Sequence, residues 1–329
     1  LTLWNHTVTE RVTTAPQDLA LILETIGTTG TTGTFGTITN DEEMTVALTI
    51  NDSEFYAIDS HSHLGRRKTP LGHGVASFLG DDLVRNLDEA GLDCAVAFPL
   101  GASYTDYSEA NQIMADEMAK HPKRIIAFCR INPNFGPEAT EKSLEHCLGT
   151  LKLKGIKLHP EIEFFDPNEA ELMEPIYQTA RRYRVPIIFH TGMSSKASPG
   201  VIAELAARYR DVPVILGHMG VSEYVKLAVA VARQNENIFL ETSVVGWMPL
   251  LLEAFRGVGT SKILFGSDHP YNPLPMEVEK ISKHVAKAAK LKQEDLKKVF
   301  ADNLLSILHH DSIARVVPDV QAVPNVPTV

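Results

Sequence analysis

The stretch Tyr56-Ala57-Ile58-Asp59-Ser60-His61-Ser62-His63 is an apolar run that ends in two histidines, two residues apart. In an extended strand residues i and i+2 face the same side, so both imidazoles can address one ion. The same kind of ending recurs. Val185-Pro186-Ile187-Ile188-Phe189 runs into His190, Val212-Pro213-Val214-Ile215-Leu216-Gly217 into His218, and Lys262-Ile263-Leu264-Phe265-Gly266-Ser267 into Asp268. One histidine at a strand end reads most simply as a hydrogen-bonded structural residue. Four strands ending this way at matching heights would bring five ionisable side chains to one mouth. Buried without partners such groups are costly, and a divalent cation would satisfy them together. Asp59 lies on the alternating face of His61, one step deeper, where it would support the ligands from behind.

These endings make one site only if the strands that carry them lie side by side and point the same way. From Phe55 onward, short β-type runs cover 55–63, 92–99, 124–131, 153–159, 185–190, 212–218, 237–244 and 262–267. Segments with helical spacing separate them at 81–90, 109–120, 139–148, 169–183, 199–209, 222–234 and 250–256, and Ser198 is placed to cap the helix opened by Pro199. Strands alternating with helices predict parallel βαβ units. Eight of them predict an α/β fold, a (β/α)8 TIM barrel with chemistry at the C-terminal strand ends, with an open doubly wound sheet as the alternative. Two further helices are expected near 275–289 and 293–309. The barrel would span 53–311, between an N-terminal extension over 1–52, β-rich or flexible, and an extended tail over 312–329. The glycines at 27, 30, 33 and 36 in the extension are no phosphate loop, because no Gly-Lys-Ser/Thr follows them.

Composition narrows the partners. With 329 residues, 44% hydrophobic and 22% charged, the chain has the make-up of a soluble globular protein and room for one large barrel. A net charge of −10 argues against nucleic acid, which calls for a basic stripe. No apolar stretch reaches a membrane span of about 18 residues, and no basic-then-apolar signal opens the chain, so a cytoplasmic setting without membrane association is expected. Cys94, Cys129 and Cys147 are too few for a disulfide scaffold and read as buried thiols. The expected partner is a small-molecule substrate; a homo-oligomer is left open.

The strings IDSHSHLG, GIKLHP, FHTG, LGHMG and GSDHP resemble the amidohydrolase superfamily. They are most similar to its amidohydrolase-related branch, which also holds non-oxidative decarboxylases like aminocarboxymuconate-semialdehyde decarboxylase. The likeness spans roughly 55–310. It implies that His61, His63, His190 and Asp268 hold a divalent metal, zinc being the expected ion, with a water completing the shell. It further implies that Asp268 moves the proton of that water, and that His218 acts as acid/base or binds a second metal. Lys157 on the fourth strand has two readings. It bridges two ions if carbamylated, or it remains an ammonium that binds a substrate carboxylate or pairs with Glu161 or Glu163.

His159 shares the face of Lys157 one layer higher and is a candidate substrate contact. Arg66, Arg67, Lys68 and His73 in the first loop could hold a carboxylate or phosphate, or form a solvated surface. Trp247 and Tyr271 could wall a pocket or cap the barrel. Two reactions suit this set: hydrolysis of an amide, ester or lactone carbonyl, taken as the first expectation, and decarboxylation of an unsaturated or aromatic carboxylate. A barrel with a closed structural ion is a third reading, from outside enzymology.

Overall fold

The structure, a computed structural model, describes residues 48–50, 53–66, 77–100 and 106–308. The extension through residue 47, Arg67, Lys68 and His73 of the first loop, and the tail from 312 lie outside the described residues. A short antiparallel pair, Leu48–Ile50 with Ser53–Phe55, leads into the parallel strands.

Nine strand segments follow: β1 (Ile58–Arg66), β2 (Cys94–Pro99), β3 (Ile125–Ala127), β4 (Cys129–Arg130), β5 (Ile156–Leu158), β6 (Ile187–His190), β7 (Val214–Gly217), β8 (Ile238–Glu241) and β9 (Ile263–Leu264). β3 and β4 are halves of the single run expected over 124–131, separated at Phe128. Hydrogen-bonded neighbours run β1-β2-β3 in one ladder and β4-β5-β6-β7-β8-β9 in the other, every one of these pairs parallel. Ser77–Phe78 adds an antiparallel edge to β1. The result is a mixed α/β architecture of the TIM-barrel type.

Period-two alternation divides the strand side chains into two layers. Ile58, Val96, Phe98, Ile188, Ile215 and Leu264 form one apolar cluster. Their strand neighbours Ala95, Ala97, Ile187, Phe189, Val214 and Leu216 belong to a second cluster shared with the helices. The helices follow their sequence spacing. Ala170–Tyr183 buries Met173, Ile176, Tyr177 and Ala180, at the i, i+3, i+4, i+7 positions of one face, and ends at Arg184 in the left-handed region (φ 53). Each large apolar side chain so buried contributes about 1.5–3 kcal/mol. One expected detail differs: Ser198 precedes the helix Pro199–Ala206 but makes no side-chain cap bond. Pro199, with its preset φ, starts that helix without it.

The alternation breaks once, in β1. Ile58 pairs with Cys94 and Asp59 with Ala95, but the next partners are Ser62 with Ala97 and His63 with Phe98. β1 thus spends one residue more than β2 between these pairs, which is a β-bulge. It changes the face assignments. Ile58 lies in the inner cluster, yet His61 and His63 also turn inward, edge-on to the Phe98 ring at 4.8 and 4.6 Å. Asp59 therefore does not share their face, contrary to expectation. Its buried carboxylate braces the bulge instead. It accepts bonds from His61 N (3.0 Å), Ser62 Oγ (2.6 Å), Ser267 N (2.9 Å) and Ser267 Oγ (2.6 Å).

Replacing Asp59 by alanine would strand those donors, each at a cost of about 1–3 kcal/mol if left unpaired. Asp59→Ala is expected to lower the melting temperature by about 10 °C and to weaken divalent-cation binding at least about tenfold. Thermal unfolding and a cation titration check this; wild-type values in both would contradict the bracing role.

Candidate metal centre

Register decides which polar residues meet. Arg130, Lys157 and Ile188 lie abreast on β4, β5 and β6 and face inward. His190 is two residues beyond Ile188 on the same face, and Gly217 of β7 stands beside it. His218 and Asp268 follow the ends of β7 and β9, and both adopt the left-handed backbone region, φ 66 and 63. Non-glycine residues held there are strained, and such strain concentrates where a side chain must be aimed.

Asp268 Oδ1 lies 3.0 Å from His63 Nε2 and 3.3 Å from His61 Nε2, making these three one compact donor group. His61, His218 and Glu241 form a second group, and His159, Glu161 and His190 a third. His190 thus stands next to the His61–His63–Asp268 group without joining it. Its ring meets that of His218 at 4.7 Å and stacks on that of His159 at 3.8 Å. His190 Nε2 is buried with no hydrogen-bond partner.

The arrangement poses an electrostatic problem that a cation solves. His61 Nδ1 faces Glu241 Oε2 at 2.7 Å and His63 Nδ1 faces the Pro99 carbonyl at 3.4 Å, while both Nε2 atoms face Asp268. Each ring therefore has an acceptor on either side, which a neutral imidazole, with one proton, cannot satisfy. Burial pushes the His63 pKa down to about 3, against the doubly protonated form. Burial and Lys157 oppose protonation of His61 too, but Glu241 and Asp268 outweigh them and raise its pKa. Burial would also raise the Asp268 carboxyl, yet the bonds to His61 and His63 hold it well below the usual carboxylate range. Burial keeps His159 and His218 well below the ordinary histidine value and lowers His190 as well. Imidazoles gathered around an ionised carboxylate, with His190 Nε2 making no hydrogen bond, are a donor set that fits a divalent metal.

Lys157 pairs with neither Glu161 nor Glu163. Its Nζ lies 3.4 Å from His61 Nε2 and 4.5 Å from the centre of the Phe98 ring. Glu163 instead takes Arg130, with Nη2 2.8 Å and Nε 2.9 Å from its Oε1, and the Tyr107 hydroxyl at 2.6 Å. Glu161 approaches His190 Nε2 at 3.5 Å. His159 accepts the Ile162 N–H on its Nδ1 at 3.3 Å, which leaves its proton on Nε2. Arg66 is exposed at the end of β1. The Tyr271 ring stands edge-on to His63 at 5.2 Å, whereas Trp247 is 66% exposed.

Two inward residues escaped the sequence reading. Glu241 closes the apolar run Ile238-Phe239-Leu240, the same signal that marks Asp268, and Arg130 closes Ile125 to Cys129.

A profile of the family described as Amidohydrolase matches residues 58–304. The chain belongs to the amidohydrolase family. No curated protein sequence matches it. Among solved structures, 5-carboxyvanillate decarboxylase from Novosphingobium aromaticivorans, in complex with manganese and 4-hydroxy-3-methoxy-5-nitrobenzoic acid, is 16% identical. It superposes with a TM-score of 0.65 over 80% of this chain and 99% of that one. A dihydroxybenzoic acid decarboxylase from a Polaromonas species, with manganese and the inhibitor 2-nitroresorcinol, has 19% identity and a TM-score of 0.59 over 77% and 96%. A probable 2-pyrone-4,6-dicarboxylic acid hydrolase from Acinetobacter baumannii, with citric acid bound, has 14% identity and a TM-score of 0.58 over 77% and 99%. At these identities the likeness is one of fold. Among the described residues no helix is long and apolar enough to cross a membrane, and the three cysteines are free and buried.

Burial pushes the Lys157 amine down to about 7 from its ordinary 10.5. Between those values the unfolded chain binds the extra proton, so stability rises with pH across that window, and the penalty is complete below it. Metal-free protein is expected to become more stable from pH 7 towards about pH 8.5, below the range in which the buried Cys94 and Cys129 thiols, pushed up by burial, reverse the trend, whereas Lys157→Met should lack this rise and melt higher than wild type at pH 7. Parallel melting curves in chelator check it; identical pH profiles would show that the amine is not desolvated.

Proposed function

We propose that this amidohydrolase-family chain is a metal-dependent, non-oxidative decarboxylase of an aromatic or unsaturated carboxylate. Residues 53–311 would form the catalytic unit, a closed (β/α)8 barrel. Support for closure comes from bonds between β1 and the segment after β9: Ser60 N to Phe265 O (2.9 Å), Asp268 N to His61 O (2.8 Å) and His63 N to His269 O (2.7 Å).

The observation that carries the reaction is Lys157. Its Nζ is packed between His61 and Phe98, and the fixed positive charge of Arg130 beside it in register disfavours a second cation there. That favours one ion over a pair bridged by a modified lysine. A single ion is the arrangement in which the decarboxylating relatives of the branch are expected, and decarboxylases prevail among the fold neighbours. Hydrolysis, the first expectation from the sequence, becomes the second reading; the likeness to a probable pyrone dicarboxylic acid hydrolase favours it.

In this reading His61, His63, His190 and Asp268 hold the ion, which supplies Lewis acidity towards a substrate oxygen. The imidazole-rich set suits zinc, and manganese is the ion that two neighbours contain. The protein supplies the rest. His159, with its proton on Nε2, donates to the substrate carboxylate. His218, neutral and facing the same cluster, accepts from a substrate hydroxyl. Asp268 would take up the proton that a substrate hydroxyl releases and deliver it to the ring carbon; as the carbon–carboxylate bond then breaks, carbon dioxide leaves and the electron pair of that bond stays with the ring.

The test is carbon dioxide release by metal-loaded protein from a panel of hydroxylated benzoates, alongside lactone hydrolysis. Decarboxylation with about one ion per chain is expected, and His61→Ala and Asp268→Asn should each lower it at least about 100-fold without unfolding the protein. Lactone opening with no carbon dioxide from any carboxylate would overturn the reading in favour of hydrolysis.

A further inference from the structure

Glu241 ends β8 and stands opposite Leu264 of the inner cluster, its side chain wholly buried. A buried carboxylate is costly unless several donors meet it, and here four do. Oε2 receives His61 Nδ1 at 2.7 Å, the Ser243 hydroxyl at 2.8 Å and the His218 backbone N–H at 3.0 Å, while the Ser243 backbone N–H bonds Oε1. Ser243 Oγ also lies 2.7 Å from His218 Nδ1.

Proton counting fixes the directions. An ionised carboxylate only accepts, so His61 carries a proton on Nδ1, whose 2.7 Å contact with Glu241 is shorter than the 3.3 Å from Nε2 to Asp268. A hydroxyl has one proton, and Ser243 spends its own on Glu241, so its oxygen can only accept from His218 Nδ1–H. We propose that Glu241 is a positioning residue that holds a proton on Nδ1 of two histidines at once, His61 directly and His218 through Ser243, so that Nε2 is the nitrogen each turns to the metal cluster. Only the identity of what those Nε2 atoms meet rests on the functional reading above; the Nδ1 protons stand without it.

The strands on either side make room for the device. A Cβ on Gly266 would come within 2.2 Å of Glu241 Oε1, and a Cβ on Gly217 within 3.1 Å of the His61 ring. Both positions therefore keep clear the space that the carboxylate and the imidazole occupy. A seam with only a packing role would be filled more cheaply by apolar side chains.

The test uses protein labelled with 15N-histidine and zinc as the probe ion, with Ser243→Ala, Glu241→Ala and Glu241→Gln compared with wild type. In metal-free wild type, exchange-protected Nδ1–H signals are expected from both His61 and His218. Ser243→Ala should lose that of His218 and keep that of His61; Glu241→Ala should lose both and bind zinc about 10–100-fold more weakly. Glu241→Gln, whose amide oxygen still accepts from His61, should recover all but a loss under about tenfold. Wild-type signals at Nε2 instead of Nδ1, or Glu241→Ala with both signals and its zinc affinity intact, would overturn the proposal. If Glu241→Ala does not fold, Ser243→Ala decides, since an unaltered His218 signal refutes the relay. Wild type that shows both signals but releases no carbon dioxide would count against the decarboxylase alone.

Discussion

A strand that alternates strictly would put Ile58 and His61 on opposite faces. In this protein both face inward, and the whole site depends on how that is achieved. One extra residue in β1, against the two-residue step of β2, rotates the end of the strand so that His61 and His63 turn in together. Asp59 stabilises the irregularity by gathering donors from His61 and Ser62 of its own strand and from Ser267, just ahead of Asp268. The same carboxylate thus orients the two histidines and anchors the backbone that delivers the third member of their group. Burial raises its pKa to about 6, so above that pH it works as a charged acceptor in a dry place, which the bonds from Ser267 and Ser62 make tolerable.

Inside that frame the electrostatics are arranged around a missing positive charge. Acceptors face both nitrogens of His61 and of His63, and burial opposes imidazolium at His63. The nearby cations do not relieve the conflict. Arg130 is committed to Glu163, and the Lys157 amine, pushed down to about 7, is at most a partial charge near neutrality. A divalent ion at the Nε2 side converts a set of costly contacts into ligands. Separation of duties by layer makes this affordable: the apolar inner cluster lies beneath the mouth, and the helix-facing layer carries most of the packing.

Strain is confined to the same rim. His218, directly after β7, and Asp268, four residues past the end of β9, take left-handed backbone conformations, as Met219, Val221 and Val244 do nearby. The rigid ladder below can absorb such local costs while the side chains are aimed across the mouth. The rim histidines also differ in their Nδ1 partners: that of His159 accepts the Ile162 N–H, whereas that of His218 meets the Ser243 hydroxyl.

Most of the fold was legible in the sequence because hydrophobic period and chain punctuation are local properties. Eight runs with helical segments between them announced a parallel α/β architecture, and apolar strands ending in His61, His63, His190, His218 and Asp268 marked one rim. Tertiary structure decided what depends on neighbours. The bulge cannot be seen in β1 alone, since it exists only relative to β2, and so the face of Asp59 was misread. Glu241 carries the same strand-end signal as Asp268, but its importance comes from His61, 180 residues away, and from Gly266, two residues past the end of β9, whose missing side chain leaves room for its carboxylate. Lys157 had two acidic candidates close in sequence; Glu163 went instead to Arg130, 33 residues back, which register sets beside Lys157. Local pattern determines which side chains are available, whereas register and long-range pairing, which have no local signature, determine which of them meet.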